Sequence, residues 1–241
     1  MRVAALYDIH GNLPALEAVA HELSGERVDA VVVGGDVVAG PFPEDVLALL
    51  DSLEPEVHFI RGNADREFTP ESTAPEPWRT WLSERLRPLR ARLDSWPEQL
   101  SLEVDGLGPT LFCHATPRND EEIFTDLTPD DIVTEMMSGI AERVVVVGHT
   151  HMQTDRRVGE SRVVNAGSIG GPYEGSRGAF WAVLGPDVDH RRTDYDVDDL
   201  LARVRATDFP DPESYYRESL LEPSPRADVA AFFENVAREQ R

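Results

Sequence analysis

The sequence contains no lysine and a single cysteine, and it has no long apolar run. Its 23 basic residues are therefore all arginines, which 45 acidic residues outnumber, and the formal net charge is −22. Such a charge repels polyanions, so we expect neither a long nucleic acid nor an anionic membrane as a partner. A lone cysteine, Cys113, excludes an intramolecular disulfide and suits a reducing compartment.

The first residues lack the apolar stretch and cleavage pattern of a secretory signal. No segment approaches the ~18 apolar residues that a membrane helix needs. We therefore expect a cytoplasmic protein. With 241 residues, 41% of them hydrophobic, the chain suits one large domain or one domain with appendages.

Short β-branched runs alternate with amphipathic stretches, a pattern typical of an α/β fold. Residues 66–98 are rich in proline, arginine and glutamate and predict a helical insert. We expect the tryptophans of this segment to pack the insert; the alternative is a cap that stacks on the substrate. Residues 153–193 predict a β-meander. We expect a domain over residues 1–195 and a helical extension over 196–241 that packs on it. Apolar positions in that extension leave homo-oligomerisation open.

Ionisable and amide side chains come directly after several predicted strands. They are Asp8 and His10 in YDIHGN, Asp36 in GGDVVAG, Asn63 in RGNAD, His114 in FCHAT, and His149 and His151 in GHTH. Open α/β sheets place ligand sites at the carboxyl ends of their strands, so we expect these side chains to meet. In extended backbone, the side chains of residues i and i+2 point to the same side. This spacing pairs Asp8 with His10, and His149 with His151. The same rule turns Cys113 away from His114 and makes it a core residue.

These seven groups are two carboxylates, one amide and four imidazoles. That donor set suits Mn, Fe, Zn, Co or Ni rather than Ca or Mg. With four ligands per metal and one shared carboxylate, the groups serve two metals, and Asp36 is the natural bridge. Two divalent cations against two aspartates leave about +2, so the site should attract phosphate in spite of the acidic chain. The pKa of a water between the metals would fall far below its bulk value of ~15.7, so the water would become a hydroxide nucleophile.

The ordered series D-x-H, GD, GN, H and GH-x-H over residues 8–151 resembles the calcineurin-like metallophosphoesterases, closest to their compact bacterial and archaeal phosphodiesterase-like branch. VVNAGSIGGP at 163–172 is similar to a late motif of that family. The resemblance implies a four-layer α/β/β/α sandwich in which two mixed sheets are flanked by helices. Carried over by position, the first metal would be held by Asp8, His10, Asp36 and His151, and the second by Asp36, Asn63, His114 and His149.

One position departs from the family pattern. Many members carry a histidine directly after the GN asparagine, thought to protonate the leaving group, whereas this chain has Ala64 followed by Asp65. Losing a general acid lowers the rate by ~10²–10⁴ for poor leaving groups, which favours a phosphodiester or nucleotide over a phosphomonoester. Asn12 and Asp65 are candidate catalytic residues. The candidate phosphate contacts are Asn12, Arg61 and Arg177.

The resemblance implies a metal-dependent phosphoesterase in which a hydroxide bridging two divalent metals attacks a small phosphate ester or nucleotide. Manganese is the preferred metal, with Fe, Zn, Ni and Co as alternatives. The competing hypothesis is a non-catalytic or weakly catalytic protein-binding scaffold, because a retromer subunit has this fold and a degenerate metal site. The seven intact positions favour the enzyme. A protein-phosphatase role is disfavoured by the short, acidic chain, and Val37 breaks the G-x-G-x-x-G spacing of a dinucleotide site.

Overall fold

In the computed structural model, which describes residues 1–69 and 74–240, strands and helices alternate. The strands are β1 (Val3–Leu6), β2 (Ala30–Val33), β3 (Glu56–Phe59), β4 (Gln99–Val104), β5 (Gly108–Cys113), β6 (Val144–Val147), β7 (Thr154–Val158), β8 (Ser161–Asn165), β9 (Ala179–Leu184) and β10 (Val188–Thr193). The α-helices are α1 (Leu13–Leu23), α2 (Pro43–Asp51), α3 (Asn63–Glu67), α4 (Trp78–Leu86), α5 (Arg90–Leu93), α6 (Asp130–Met136), α7 (Val197–Arg205), α8 (Pro212–Tyr215) and α9 (Arg226–Gln240).

The strands form two mixed sheets of five strands each, in the orders β10-β9-β1-β2-β3 and β4-β5-β6-β8-β7. Strands β1, β2 and β3 are parallel, as are β5, β6 and β8, and the remaining strands pair antiparallel at the sides. Because parallel strands end at the same edge, the loops after β1, β2, β3, β5 and β6 come together. These are the loops that carry the polar series found in the sequence.

The valine run of β6 shows how the layers are built. Val144 and Val146 pack between the two sheets, against Val32 and other residues of the first sheet. Val145 and Val147 point the other way, into a cluster that α6 covers. The outer face of the first sheet packs on α1, α2 and α7. A strand buried on both faces needs apolar residues throughout, which explains the unbroken run. The predicted four-layer α/β/β/α sandwich is confirmed.

Cys113 lies in the cluster under α6, where it is 2% exposed. Burial raises the pKa of its thiol. The prediction that this cysteine is a core residue rather than a ligand is confirmed.

The predicted β-meander over residues 153–193 is wrong. β7 and β8 form an antiparallel hairpin in the second sheet, whereas β9 and β10 form one in the first. Residues 166–178 carry the chain from one sheet to the other, and β9 then pairs antiparallel with β1. Strand propensity is the same in both sheets, so the sequence pattern did not reveal this crossing.

The predicted insert contains α4, a 3₁₀ turn at Arg87–Leu89 and α5, while its residues 70–73 lie outside the described residues. Its tryptophans pack, as predicted. The indole nitrogen of Trp78 donates to the carbonyl of Pro210 (2.7 Å), and the ring of Trp81 meets Phe209 edge-on at 5.0 Å. The insert and the C-terminal segment therefore support each other.

The C-terminal segment contains α7, α8, a π-helical turn at Arg217–Leu221 and α9. Leu200, Val204, Tyr216 and Leu220 join the same apolar cluster as α1 and α2. The boundary at residue 195 stays a prediction, and Arg241 lies outside the described residues. None of the helices described has the length and apolarity that crossing a membrane requires.

Candidate metal centre

Two clusters of ligand-type side chains lie at the shared edge of the sheets. Asp8, His10 and His151 form one cluster, here named the Asp8 group, whose ligand atoms lie within 4.8 Å of one another. Asp36, His114 and His149 form the second, the Asp36 group, by the same criterion. Six of the seven residues in the predicted series thus fall into two triads. The seventh, Asn63, adjoins the Asp36 group, because its Oδ1 lies 3.1 Å from His114 Nε2.

The backbone at the clusters is left-handed rather than extended. Asp8, His10, Asp36, His149 and His151 have φ values of 51°, 47°, 52°, 66° and 58°. The inference that extended backbone pairs His149 with His151 is therefore wrong: one lies in the Asp36 group and the other in the Asp8 group. For residues other than glycine this conformation is unfavourable by about 1–2 kcal/mol each. Strain of this kind concentrates at functional sites, where the surrounding structure imposes it.

Each carboxylate uses one oxygen for a backbone N–H and turns the other toward the histidines. Asp8 Oδ2 accepts from the N–H of His149 (2.9 Å), and Asp36 Oδ1 accepts from that of Ala64 (2.7 Å). Asp8 Oδ1 is buried without a hydrogen-bond partner, and the nearest imidazole nitrogen, His151 Nε2, lies 3.3 Å away. A buried, orphaned carboxylate oxygen is unfavourable unless a cation neutralises it. The donor set therefore fits divalent metal ions.

Asp36 Oδ2 lies between the two groups. It is 3.6 Å from His10 Nε2 and 3.5 Å from His114 Nε2, so it faces one imidazole of each triad almost equally. This placement suits the bridging role that the sequence suggested for Asp36.

Backbone carbonyls orient imidazoles in both groups, and in the Asp36 group His149 Nε2 also faces the carbonyl of Glu121 at 3.2 Å. His151 Nδ1–H donates to Gly171 (2.6 Å), and His114 Nδ1–H donates to Gly34 (2.9 Å). A carbonyl only accepts, so each Nδ1 carries a proton, and Nε2 is the nitrogen that would bind a metal once it has released any proton of its own. Metal-ligating histidines are commonly oriented by such a bond. His10 Nε2 lies 3.1 Å from His151 Nε2, so two nitrogens that could bind the same metal are close together.

The two groups have matching electrostatics. Burial opposes charge on His114, but the carboxylates of Asp36 and Asp8 outweigh it and raise its pKa to about 10. Burial, reinforced by the charge of His114, lowers the pKa of His149 to about 4. In the Asp8 group, Asp8 likewise raises the pKa of His151 against burial, whereas burial lowers that of His10. Each group thus contains one histidine that readily takes a proton and one that stays neutral.

The loop glycines allow the backbone to approach the carboxylates closely. A Cβ at Gly62 would lie 2.3 Å from Asp36 Oδ1, and one at Gly148 would lie 2.3 Å from Asp8 Oδ2. Both distances are shorter than a real contact, so a side chain at either position would displace a carboxylate.

Asp65 and Asn12 are buried and bonded to their own scaffold. Asp65 accepts from the N–H groups of Val37 (2.9 Å), Val38 (3.3 Å) and Gly62 (3.0 Å). Burial and the nearby charge of Asp36 raise its pKa to about 7. It therefore fixes the loop that carries Asp36 to the loop that carries Asn63. A catalytic role for Asp65 stays a prediction that this buried position does not favour.

The amide of Asn12 caps α1 by accepting from the N–H of Ala15 (3.2 Å). Its Nδ2 donates to the carbonyl of Gly170 and the hydroxyl of Tyr195, both at 3.0 Å. Because these bonds occupy the fully buried side chain, they do not favour the predicted catalytic and phosphate contacts.

The two candidate arginines also have protein partners. Arg61 pairs with Glu98 (2.9 Å), and Arg177, which is exposed, donates to the carbonyl of Leu221 (3.0 Å). Arg61 Nε is buried without a partner. Phosphate binding by either arginine stays a prediction.

Two further residues support the clusters, and neither of them was identified individually from the sequence. Ser168 Oγ donates to the carbonyl of Asp8 (2.8 Å). Asn165 Nδ2 donates to the carbonyl of Gly148 (2.6 Å) and to the hydroxyl of Thr150 (3.1 Å). Both lie in VVNAGSIGGP, so the motif was the signal. Its structural role is to hold the loops after β1 and β6 in place.

The model of the calcineurin-like phosphoesterase superfamily domain matches residues 1–185, and the chain belongs to this family. An uncharacterized protein of Methanocaldococcus jannaschii is 22% identical over 87% of this chain and 94% of its own. The crystal structure of a hypothetical protein from Pyrococcus horikoshii superposes with a TM-score of 0.79 at 22% identity, over 93% of this chain and 99% of that one. A metallophosphoesterase from Sphaerobacter thermophilus gives 0.69 at 25% identity, over 87% and 95%.

Proposed function

We propose that this chain hydrolyses phosphate esters, with phosphodiesters or nucleotides preferred, at a pair of divalent metal ions. The Asp8 group with Asp36 would hold one ion, and the Asp36 group with Asn63 would hold the other. The observation that carries the proposal is the position of Asp36 Oδ2, about equally far from one imidazole of each group. The partnerless Asp8 Oδ1 supports it.

When bound, such a metal pair would acidify water and polarise a phosphoryl oxygen. The chain itself supplies orientation. The carbonyls of Gly34 and Gly171 orient the imidazoles of His114 and His151. Backbone N–H groups of the loops hold the carboxylates of Asp8 and Asp36. The mixed nitrogen and oxygen donors suit first-row ions, of which we take manganese as the first choice.

The diester preference rests on residue 64. Ala64 is 6% exposed and offers no proton for a leaving group. Esters whose leaving groups depart without protonation should lose the least from that absence. We expect a small phosphate ester or nucleotide as substrate and leave a homo-oligomer open.

The test uses chelator-stripped protein, with and without Mn²⁺, on bis-p-nitrophenyl phosphate and p-nitrophenyl phosphate. We expect Mn²⁺-dependent hydrolysis that favours the diester and is lost in His149→Ala. His21→Ala, which changes an exposed histidine on α1, is the matched control. Two bound metals without turnover of either ester would contradict ester hydrolysis. Neither metal nor turnover would favour the protein-binding scaffold.

A further inference from the structure

A cavity of about 180 Å³ opens beside the Asp8 group. One side is formed by His10 and His151. The other side is aromatic, and we name the whole cavity the tyrosine cleft, lined by His10, His151, Tyr173, Tyr215, Tyr216 and Ser219. Three of these residues come from the C-terminal segment, which lies beyond residues 1–185 of the family match.

The aromatic walls are held in place from behind. Tyr173 stacks on His151 with ring centroids 5.3 Å apart and meets Phe233 of α9 edge-on at 5.9 Å. Tyr215 meets Tyr216 edge-on at 4.9 Å, and its hydroxyl donates to the carbonyl of Ala39 (2.6 Å). Walls that are fixed before a ligand arrives lose little entropy on binding.

The polar content of the cleft is small and uncharged apart from the histidines. Among the described residues that line it there is no arginine. The hydroxyl of Tyr216 is buried and has no hydrogen-bond partner. With essentially no exposed surface, this hydroxyl offers nothing to a ligand in the cleft, and Tyr216 contributes its ring to the wall. The lining therefore suits an uncharged ring and not a second phosphate.

The size of the cleft narrows the ligand further. Sites for drug-sized molecules typically measure about 300–1,000 Å³. At about 180 Å³ the cleft suits one ring system and is too small for a folded peptide.

We propose that the tyrosine cleft binds a planar aromatic group of the substrate, a nucleobase or an aryl ring, next to the phosphate at the two groups. This assignment rests on the proposed function and adds a substrate class to it. Tyr215 and Tyr216 supply aromatic wall against which such a ring packs. The C-terminal segment thus sets specificity, whereas the strand ends perform the chemistry.

The test measures binding of phosphonates, whose C–P bond is not hydrolysed, to the full-length, Mn²⁺-loaded protein by calorimetry. Phenylphosphonate and an adenosine 5′-phosphonate are compared with methylphosphonate, which has no ring. A stacked ring typically adds about five- to 150-fold in affinity, so we expect at least about tenfold. Tighter binding of both ring probes would identify a general aryl site. Tighter binding of the adenosine probe alone would identify a nucleobase site. Equal affinity for all three overturns the proposal.

Two variants of one residue separate the ring from its hydroxyl. Tyr215→Leu should reduce the ring advantage to below about threefold, whereas Tyr215→Phe, which loses only the bond to Ala39, should keep it. Equal loss in both would overturn a ring-binding role. Tyr216→Phe keeps the ring and removes a hydroxyl that is closed off from the cleft, so it should leave the ring advantage unchanged. Phe232→Leu, an exposed aromatic outside the cleft, is the control.

Because phosphonate binding does not need turnover, the two proposals fail separately. Ester hydrolysis without ring selectivity overturns the cleft assignment alone. Ring selectivity without hydrolysis of any ester overturns the proposed function alone.

Discussion

The Asp8 group and the Asp36 group are built alike but face different surroundings. Each has one carboxylate, one imidazole whose Nδ1 donates to a backbone carbonyl and one imidazole with a lowered pKa. The Asp8 group opens on the tyrosine cleft of about 180 Å³. Beside His114 of the Asp36 group there is a cavity of only about 20 Å³. The first has room for an organic group, and the second for about one water.

The walls beside the Asp36 group are polar. Arg66 makes two bonds of 2.8 Å to Asp120 and also pairs with Glu121. Asn63 Nδ2 donates to Glu67 (3.3 Å). These acidic side chains disfavour a second anion on this side. On the proposed function, the two groups would share the metal chemistry, and the organic part of the substrate would be recognised on the Asp8 side.

The largest expected effect follows from removing one ligand from each group. If both groups hold a metal, His10→Ala and His114→Ala should each lower kcat by at least ~10²-fold, because losing a residue that merely orients a ligand already lowers activity or affinity ~10–100-fold. Kinetics on the diester and metal content by mass spectrometry check this. Full activity in either variant would break the symmetry between the groups.

The second prediction concerns protons released on metal binding by the Asp36 group. Without metal at pH 7, a pKa of about 10 keeps His114 protonated, whereas a pKa of about 4 leaves His149 neutral. A cation must then displace about one proton, from His114, so its affinity should rise about tenfold per pH unit as the pH approaches 10. Calorimetry with Mn²⁺ in buffers of different ionisation enthalpy counts the proton. A pH-independent affinity would contradict this assignment.

The Asp8 and Asp36 groups could be predicted from the sequence because strand-end motifs are local. A strand, a glycine and a polar residue suffice to place Asp36 or His149, and the two-sheet fold follows from the same alternation. The left-handed backbone at five of these residues was not predicted, because contacts between separate loops impose it. Asp65 and Asn12 illustrate the same limit: adjacency to a motif suggested chemistry, but their hydrogen bonds give them scaffold roles.

The tyrosine cleft had no comparable signal. Tyr215 meets the loop after β2 across 176 residues of sequence, and no period or motif links the two segments. Aromatic residues in an acidic helical extension predict packing, which is also present. Only the tertiary arrangement distinguishes a tyrosine that lines a cavity from one that fills a core.

The third prediction tests whether Asp65 supports only the Asp36 side. Asp65→Asn keeps the shape but points an NH₂ group at backbone N–H groups that now donate to a carboxylate. We expect the free energy of unfolding to fall by about 1–3 kcal/mol, and Mn²⁺ affinity to fall at the Asp36 group more than at the Asp8 group. Urea denaturation and metal titration measure both. The exposed Asp208→Asn is the control, and equal weakening of the two sites would contradict one-sided support.

The smallest expected effect concerns the support behind the tyrosine cleft. Trp78 bonds to the carbonyl of Pro210 and meets the ring of Tyr215 at 5.7 Å. Trp78→Phe removes the bond but keeps a ring, so the free energy of unfolding should fall by about 1 kcal/mol. Selectivity for ring-bearing phosphonates should stay, because Tyr215 keeps its bond to Ala39. Urea denaturation and calorimetry provide the two readouts.

Trp96→Phe is the matched control for that variant. Trp96 stacks on Phe59 at 4.8 Å, near the end of the insert that leads to β4. If Trp78→Phe abolishes ring selectivity while Trp96→Phe preserves it, the cleft depends on the insert for its shape. Recognition of the ring would then depend on the contact between the insert and the C-terminal segment. The metal-ligand clusters are encoded in local motifs, whereas the cleft would depend on three segments that are distant in sequence.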